Sequence, residues 1–138
     1  MGFGRCKFEK DGRMPSPLRG GDGFVANIRA TVFAAETDET ITIDELSGGV
    51  LSQGTTLTSD VTYTTPTAAL ILDEFDTMDV GDHFTLEVIN AQAGAFDVII
   101  AGGTGVTLQG ANNVGEVAPK GSRMFHFEKA SATTINLY

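Results

Sequence analysis

The pattern of apolar and polar positions changes character at Phe24. Before it, residues 1–23 keep no sustained period. Pro15-Ser16-Pro17 and Gly20-Gly21-Asp22-Gly23 interrupt any regular element there, which predicts an extended arm. After it come short alternating runs. Residues 24–33 (FVANIRATVF), 40–43 (TITI) and 61–64 (VTYT) predict strands, and residues 44–54, with Ser47-Gly48-Gly49, predict a turn-rich connection. In 83–90 (HFTLEVIN), Phe84, Leu86 and Val88 fall on one face and Thr85 and Glu87 on the other. Residues 91–95 form a loop of hairpin length with 96–101 as the returning strand, and 106–108 is a short strand between glycine-bearing turns. Residues 122–128 alternate again with Phe125 and Phe127 inward, and 130–132 turn the chain into a last strand at 133–138.

One segment departs from the period of two. Thr65 reads as a helix cap, Pro66 as the first helical residue, and helix formers follow, so a single short helix is predicted at about 66–76. Leu72 and Phe75 give it an apolar face, while Asp73 and Glu74 follow Leu70 at helical spacing on an acidic one. Short strands separated by turn residues suit a mainly β fold: an antiparallel β-sandwich or small jelly-roll-like barrel with one helix and an extended N-terminal arm. The chain of 138 residues fits one domain, with 1–23 as the arm and 24–138 as the body. Abundant Thr, Val, Ile and Phe favour pleated surfaces, and 17 Gly supply sharp turns.

Charge divides the chain at nearly the same place. Residues 1–29 hold six basic groups (Arg5, Lys7, Lys10, Arg13, Arg19, Arg29) against three acids, a balance of +3. The remainder sets fifteen acids against Lys120, Arg123 and Lys129, a balance of −12. The net charge of −9 disfavours binding of nucleic acid by the whole molecule, so no direct nucleic-acid partner is expected. A basic segment on an acidic body suits binding nucleic acid or docking onto an acidic protein surface, with a solvated tail as the plain alternative; Phe3 and Phe8 interleave with its cations, which favours contact over a bare tail. No apolar run approaches the roughly 18 residues of a membrane span, and no membrane partner is expected. Residues 1–5 lack an apolar signal core, and Cys6 occupies the place of the Ser or Thr of a myristoylation motif, so neither a leader nor that anchor is predicted. Cys6 is the only cysteine, which excludes an intrachain disulfide and a cysteine-based zinc site.

Candidate chemistry is thin. Asp97 to Gly105 (DVIIAGGTG) has the look of a dinucleotide-binding turn, but Val106-Thr107-Leu108 is too short and β-branched for a helix and Leu108 replaces the third glycine, so a tight β-turn is expected. His83 and His126 sit in alternating strands without ligand-type spacing, with Asp82 and Glu128 as the nearest helpers. Asp73, Asp76 and Asp79 recur every third residue, not every second as a calcium loop requires. Ser52, Ser59 and Ser122 lack a histidine–aspartate context or a strained nucleophile turn. The expectation is a protein that is not an enzyme, with no cofactor, metal or catalytic residue.

Residues 65–138 carry a recognisable order: Thr65-Pro66-Thr67-Ala68-Ala69, Gly81-Asp82-x-Phe84, Ile89-Asn90, Ala93-Gly94, GTGVTLQG at 103–110, Gly121-Ser122 and the terminal Thr134-x-x-x-Tyr138. In these positions, a little over half of the chain, it resembles small structural proteins of tailed bacteriophages: capsid decoration (cement) proteins and related virion surface modules. The resemblance implies a β-sandwich module that assembles as a homotrimer on the outer surface of the virion capsid, over junctions of the major capsid protein. The arm would reach onto neighbouring shell subunits, with Phe3, Phe8 and Leu18 as apolar anchors and Arg5, Lys7, Lys10, Arg13 and Arg19 as charge partners. The alternative is a tail-fibre, head-fibre or receptor-binding module whose loops at 91–95 and 110–115 contact a host glycan or protein.

Overall fold

The computed structural model describes residues 29–33, 36–110 and 114–138. The described chain is mainly β, with ten strands and two short helices: β1 (Arg29–Phe33), β2 (Glu39–Thr40), α1 (Ile43–Gly48), β3 (Gly49–Gln53), β4 (Val61–Thr64), α2 (Ala68–Glu74), β5 (His83–Asn90), β6 (Val98–Ala101), β7 (Val106–Leu108), β8 (Glu116–Val117), β9 (Gly121–Lys129) and β10 (Ile135–Leu137). They form a six-stranded sheet ordered β1-β3-β5-β9-β10-β7 and a four-stranded sheet ordered β2-β4-β6-β8.

From β1 to β9, successive strands alternate between the sheets. β1, β3 and β5 run parallel in the larger sheet, and β2, β4 and β6 run parallel in the smaller one. The first half therefore winds as a coil, and each return to the larger sheet carries a helix, α1 after β2 and α2 after β4. The second half reverses: β9 runs antiparallel to β5 over eight residue pairs, and β8 antiparallel to β6. β10 pairs antiparallel with β9 and parallel with β7.

The antiparallel expectation is thus corrected: both sheets are mixed. The reason lies at the 91–97 connection, where the chain leaves β5 and crosses to the other sheet instead of turning back beside it. Buried amides fix that crossing. Asn90 Nδ2 donates to the carbonyls of Phe96 (3.1 Å) and Val117 (2.9 Å), and Gln92 Nε2 donates to Phe96 (2.7 Å). An aspartate at the start of each crossing strand braces the next coil: Asp38 Oδ1 accepts Thr62 N–H and Asp60 Oδ1 accepts Asp97 N–H, both at 2.8 Å.

Further expectations change. The 44–54 connection holds a helix and a strand, and the strand expected at 40–43 shrinks to β2. A capping box causes both: Thr42 N–H donates to Glu45 Oε2 (2.7 Å), Glu45 N–H donates to Thr42 Oγ1 (3.2 Å), and Gly49, at φ +88°, ends the helix. Two helices therefore replace the single one. In α2 the cap is Thr67, whose Oγ1 accepts Leu70 N–H at 3.3 Å, so Pro66 precedes the helix. Of the strand expected at 24–33, residues 29–33 form β1 and residues 24–28 lie outside the described residues.

The core joins both sheets and both helices. Leu86, Val88, Phe125 and Phe127 from the larger sheet meet Val61, Tyr63, Val98 and Ile100 from the smaller one, with Leu46 and Ile71 from the helices. Phe75, Phe84 and Phe127 stack in series, with ring centroids 4.2 and 4.8 Å apart, tying the end of α2 to β5 and β9. The inward assignment of Phe84, Leu86, Val88, Phe125 and Phe127 agrees with this core.

Candidate functional site

The residues assigned to docking (Phe3, Arg5, Lys7, Phe8, Lys10, Arg13, Leu18 and Arg19) all lie outside the described residues. What the structure does place is the body from which that segment departs. Among the described residues it carries a groove of about 480 Å³ on the helix-bearing edge. Three chain junctions meet there: β2 to α1 (residues 40–43), β4 to α2 (residues 64–67, with Leu70) and the Gly103-Thr104 turn between β6 and β7. The carboxyl ends of the parallel strands β2 and β4 open into it, as expected of a crevice in a sheet with parallel strands.

The chemistry of this groove is set by hydrogen bonds already made. Thr42 Oγ1 donates to Glu45 Oε2 at 2.7 Å, and Thr67 Oγ1 accepts Leu70 N–H. Thr65 Oγ1 donates to Pro66 O (3.0 Å) and accepts Gly103 N–H (2.9 Å). Thr42, Thr65 and Thr67 are thus tied to local structure, and the groove also presents Thr40, Thr64 and Thr104 beside Ile43, Pro66 and Leu70. Its lining includes no acid, base or cysteine. Such a surface, apolar with threonine hydroxyls, is suited to binding by shape and hydrogen bonding and carries no acid or base to move a proton.

Gly103 explains how the junctions approach so closely. A Cβ there would lie 2.5 Å from Thr65 O and 2.8 Å from Pro66 O, both backbone atoms. Gly103→Val should therefore push the β6–β7 turn off the β4–α2 junction. The expected loss is about 3 kcal/mol, read as a fall in Tm of roughly 10 °C by calorimetry. An unchanged Tm would mean that the turn does not seat there.

The opposite edge of the core holds buried polar groups that sequence reasoning passed over. Gln53 and Asn90 are register partners in β3 and β5, and both are buried. Gln53 Nε2 donates to Tyr63 Oη at 2.6 Å, and its Oε1 accepts Thr55 N–H at 2.7 Å. Gln92 Oε1 accepts Gly94 N–H at 2.7 Å. Asn90 Oδ1 is buried with no hydrogen-bond partner. These amides hold the β3–β4 and β5–β6 connections; they lie away from the groove.

Burial pushes the Tyr63 phenol above its ordinary value of 10.0, an effect that the hydrogen bond from Gln53 partly offsets. The folded state thus keeps its proton to higher pH than the unfolded chain. Stability from this group is complete below about pH 10 and falls as pH rises through the folded value. Tyr63→Phe should flatten that alkaline decline in urea midpoints measured from pH 9 to 11.5. An unaltered slope would place the decline elsewhere. Tyr138 is likewise raised, chiefly because its hydroxyl donates to Glu128 Oε1 at 2.8 Å.

His83 and His126 meet edge-on, with centroids 6.1 Å apart, on the outer face of β5 and β9. Among the described residues, no group of three or more His, Cys, Asp or Glu side chains is arranged to hold a metal ion. Asp82 closes a turn, its Oδ2 accepting Asp79 N–H at 2.9 Å. The Gly102–Gly105 segment leads from β6 into strand β7, as its β-branched continuation predicts. Among the described residues no helix is long and apolar enough to cross a membrane. No family model, curated protein or solved structure matches the chain.

Proposed function

We propose that this chain is a capsid decoration protein of a tailed bacteriophage, a structural virion component that works by adhesion and carries out no catalysis. In this reading its two sheets pack as a β-sandwich body, three copies associate, and the trimer sits on the outer surface of the assembled head. Residues 1–23 dock on the major capsid protein through Phe3, Phe8 and Leu18, with Arg5, Lys7, Lys10, Arg13 and Arg19 pairing to acidic shell residues. The observation that carries the reading is the charge division between a basic leading segment and an acidic body. The resemblance of residues 65–138 to virion surface modules points the same way.

The physical logic is linkage. A ligand that binds only the assembled, expanded shell stabilises that shell by mass action. Three joined subunits rebind at high effective concentration, so a short arm with a few anchors suffices. An acidic body facing solvent limits adhesion between particles. The tail-fibre or receptor-binding alternative uses the 91–95 and 110–115 loops to recognise a host, and residues 111–113 of the second lie outside the described residues. The 91–95 loop is braced by Gln92, and its exposed residues Ala91, Ala93 and Ala95 carry no hydrogen-bonding side chain, which argues against glycan recognition by that loop. Imaging of labelled protein on intact particles separates the two. Copies distributed over the head support decoration; copies confined to the tail or one vertex support the alternative.

A further inference from the structure

The chain has two histidines, far apart in sequence, and the fold sets them side by side. β5 and β9 pair antiparallel, and in their register His83 faces Glu128 while Thr85 faces His126, so the histidines are diagonal neighbours. Each alternates with residues that pack inward, His83 with Phe84 and His126 with Phe125 and Phe127. Both imidazoles therefore stand exposed on the outer face of the larger sheet. Their ring centroids are 6.1 Å apart. On the inner side the Phe84 and Phe127 rings stack at 4.8 Å, which holds the two strands in register beneath them.

Imidazole is a favoured ligand of zinc, nickel and copper. With a metal–nitrogen bond of about 2.0–2.1 Å, two coordinated rings have centres about 5 Å apart at a tetrahedral angle and about 6.5 Å apart when opposed. The observed separation falls inside that span. Rotation of exposed side chains, with no movement of the strands, brings one nitrogen of each ring to a shared ion. The local charge is favourable too. Glu128 stands opposite His83, its Oε1 accepting from Tyr138 Oη at 2.8 Å, and Glu87 shares the outer face of β5. The cations of β9 have the parity of Phe125 and Phe127 and turn away: the Arg123 guanidinium lies over the Phe125 ring, and Lys129 Nζ donates to Met78 O at 2.9 Å.

We propose that His83 and His126 form a two-histidine site for a divalent ion of the zinc, nickel and copper class. Two protein ligands hold the ion and water completes its shell, which agrees with the lack of a three-ligand group among the described residues. The bound ion staples β5 to β9 on the outer face. Calcium and magnesium, which take oxygen ligands, are refused. Neither histidine has ligand-type spacing in the sequence; strand pairing supplies it. The site belongs to the free protein and holds or fails whatever surface the chain binds.

Calorimetric titration of Zn²⁺ into the untagged full-length chain tests it, in a Cys6→Ser background and with excess Mg²⁺ present. The chain should take up one ion. His83→Ala and His126→Ala should each weaken binding by at least about 100-fold, the upper end of what loss of a supporting group costs. Their metal-free Tm should stay within about 2 °C of the parent, because both side chains are exposed. Asp76→Asn, in the exposed acidic turn after α2, should bind as the parent does. Absence of saturable uptake, or uptake that survives either histidine substitution, would overturn the proposal. Uptake lost in Asp76→Asn would move the ion to the acidic turn and overturn it equally. Amide spectra of the parent give a reading without substitution: trace Cu²⁺ should broaden the signals of residues 83–85 and 126–128 first. Broadening that begins elsewhere would contradict the site.

Discussion

Phe125→Asp should abolish cooperative folding. Phe125 has no exposed surface, lies at the centre of β9 opposite Leu86, and belongs to the core that both sheets share. Removing a buried aromatic side chain costs about 3–5 kcal/mol. Placing a carboxylate in the space adds several more, or forces the group to stay protonated. A domain of this size holds roughly 5–15 kcal/mol in total. The Arg123 guanidinium lies 5.4 Å from the Phe125 ring centroid, and pairing with it would offset only part of that cost, since the lost aromatic packing is not replaced. Glu87→Lys is the matched control. Glu87 is on the opposite face of β5, opposite Met124, and its replacement should shift stability by about 0.5 kcal/mol or less. Urea titration followed by circular dichroism checks both. A folded Phe125→Asp beside an unfolded Glu87→Lys would reverse the assignment of faces.

Removal of residues 1–23 should separate folding from adhesion. In the proposed function those residues contain the docking side chains, while the body supplies the scaffold and the joining of three copies. The shortened chain should melt within about 2 °C of the full one, because in the proposed function the core belongs to the body alone. Its affinity for expanded shells should fall by at least about 100-fold, the scale on which linked weak contacts act. Co-sedimentation with shells reads the affinity and calorimetry reads the fold. Undiminished binding would move the docking surface onto the body.

The period of two made the inward faces legible. Phe84, Leu86 and Val88, and later Phe125 and Phe127, are at alternate positions and are placed inward by the fold. The same parity was available for the buried amides: Asn90 continues the even series of β5, and Gln53 shares the face of Leu51. Their polarity masked that signal. Strand direction was not legible, because alternation looks the same in parallel and antiparallel pairs and a five-residue loop imitates a hairpin. The direction depends instead on where Asn90 and Gln92 find carbonyl partners, which is a tertiary fact. Helix α1 was legible in principle. Thr42-Ile43-Asp44-Glu45 is a capping box closed by Gly48-Gly49, yet six residues give too short an apolar period to stand out. The groove left no sequence mark beyond its threonines, since three junctions distant in the chain build it. The docking residues lie outside the described residues, so their assignment rests on composition and charge.

The most direct measurement is the titration of purified full-length chain onto expanded, undecorated heads, with unexpanded heads alongside. The proposed function predicts saturable binding at a fixed ratio to the major capsid subunit, weakened by salt, and little binding to the unexpanded form. Absence of saturable binding to expanded heads, or equal binding to both forms, would contradict it.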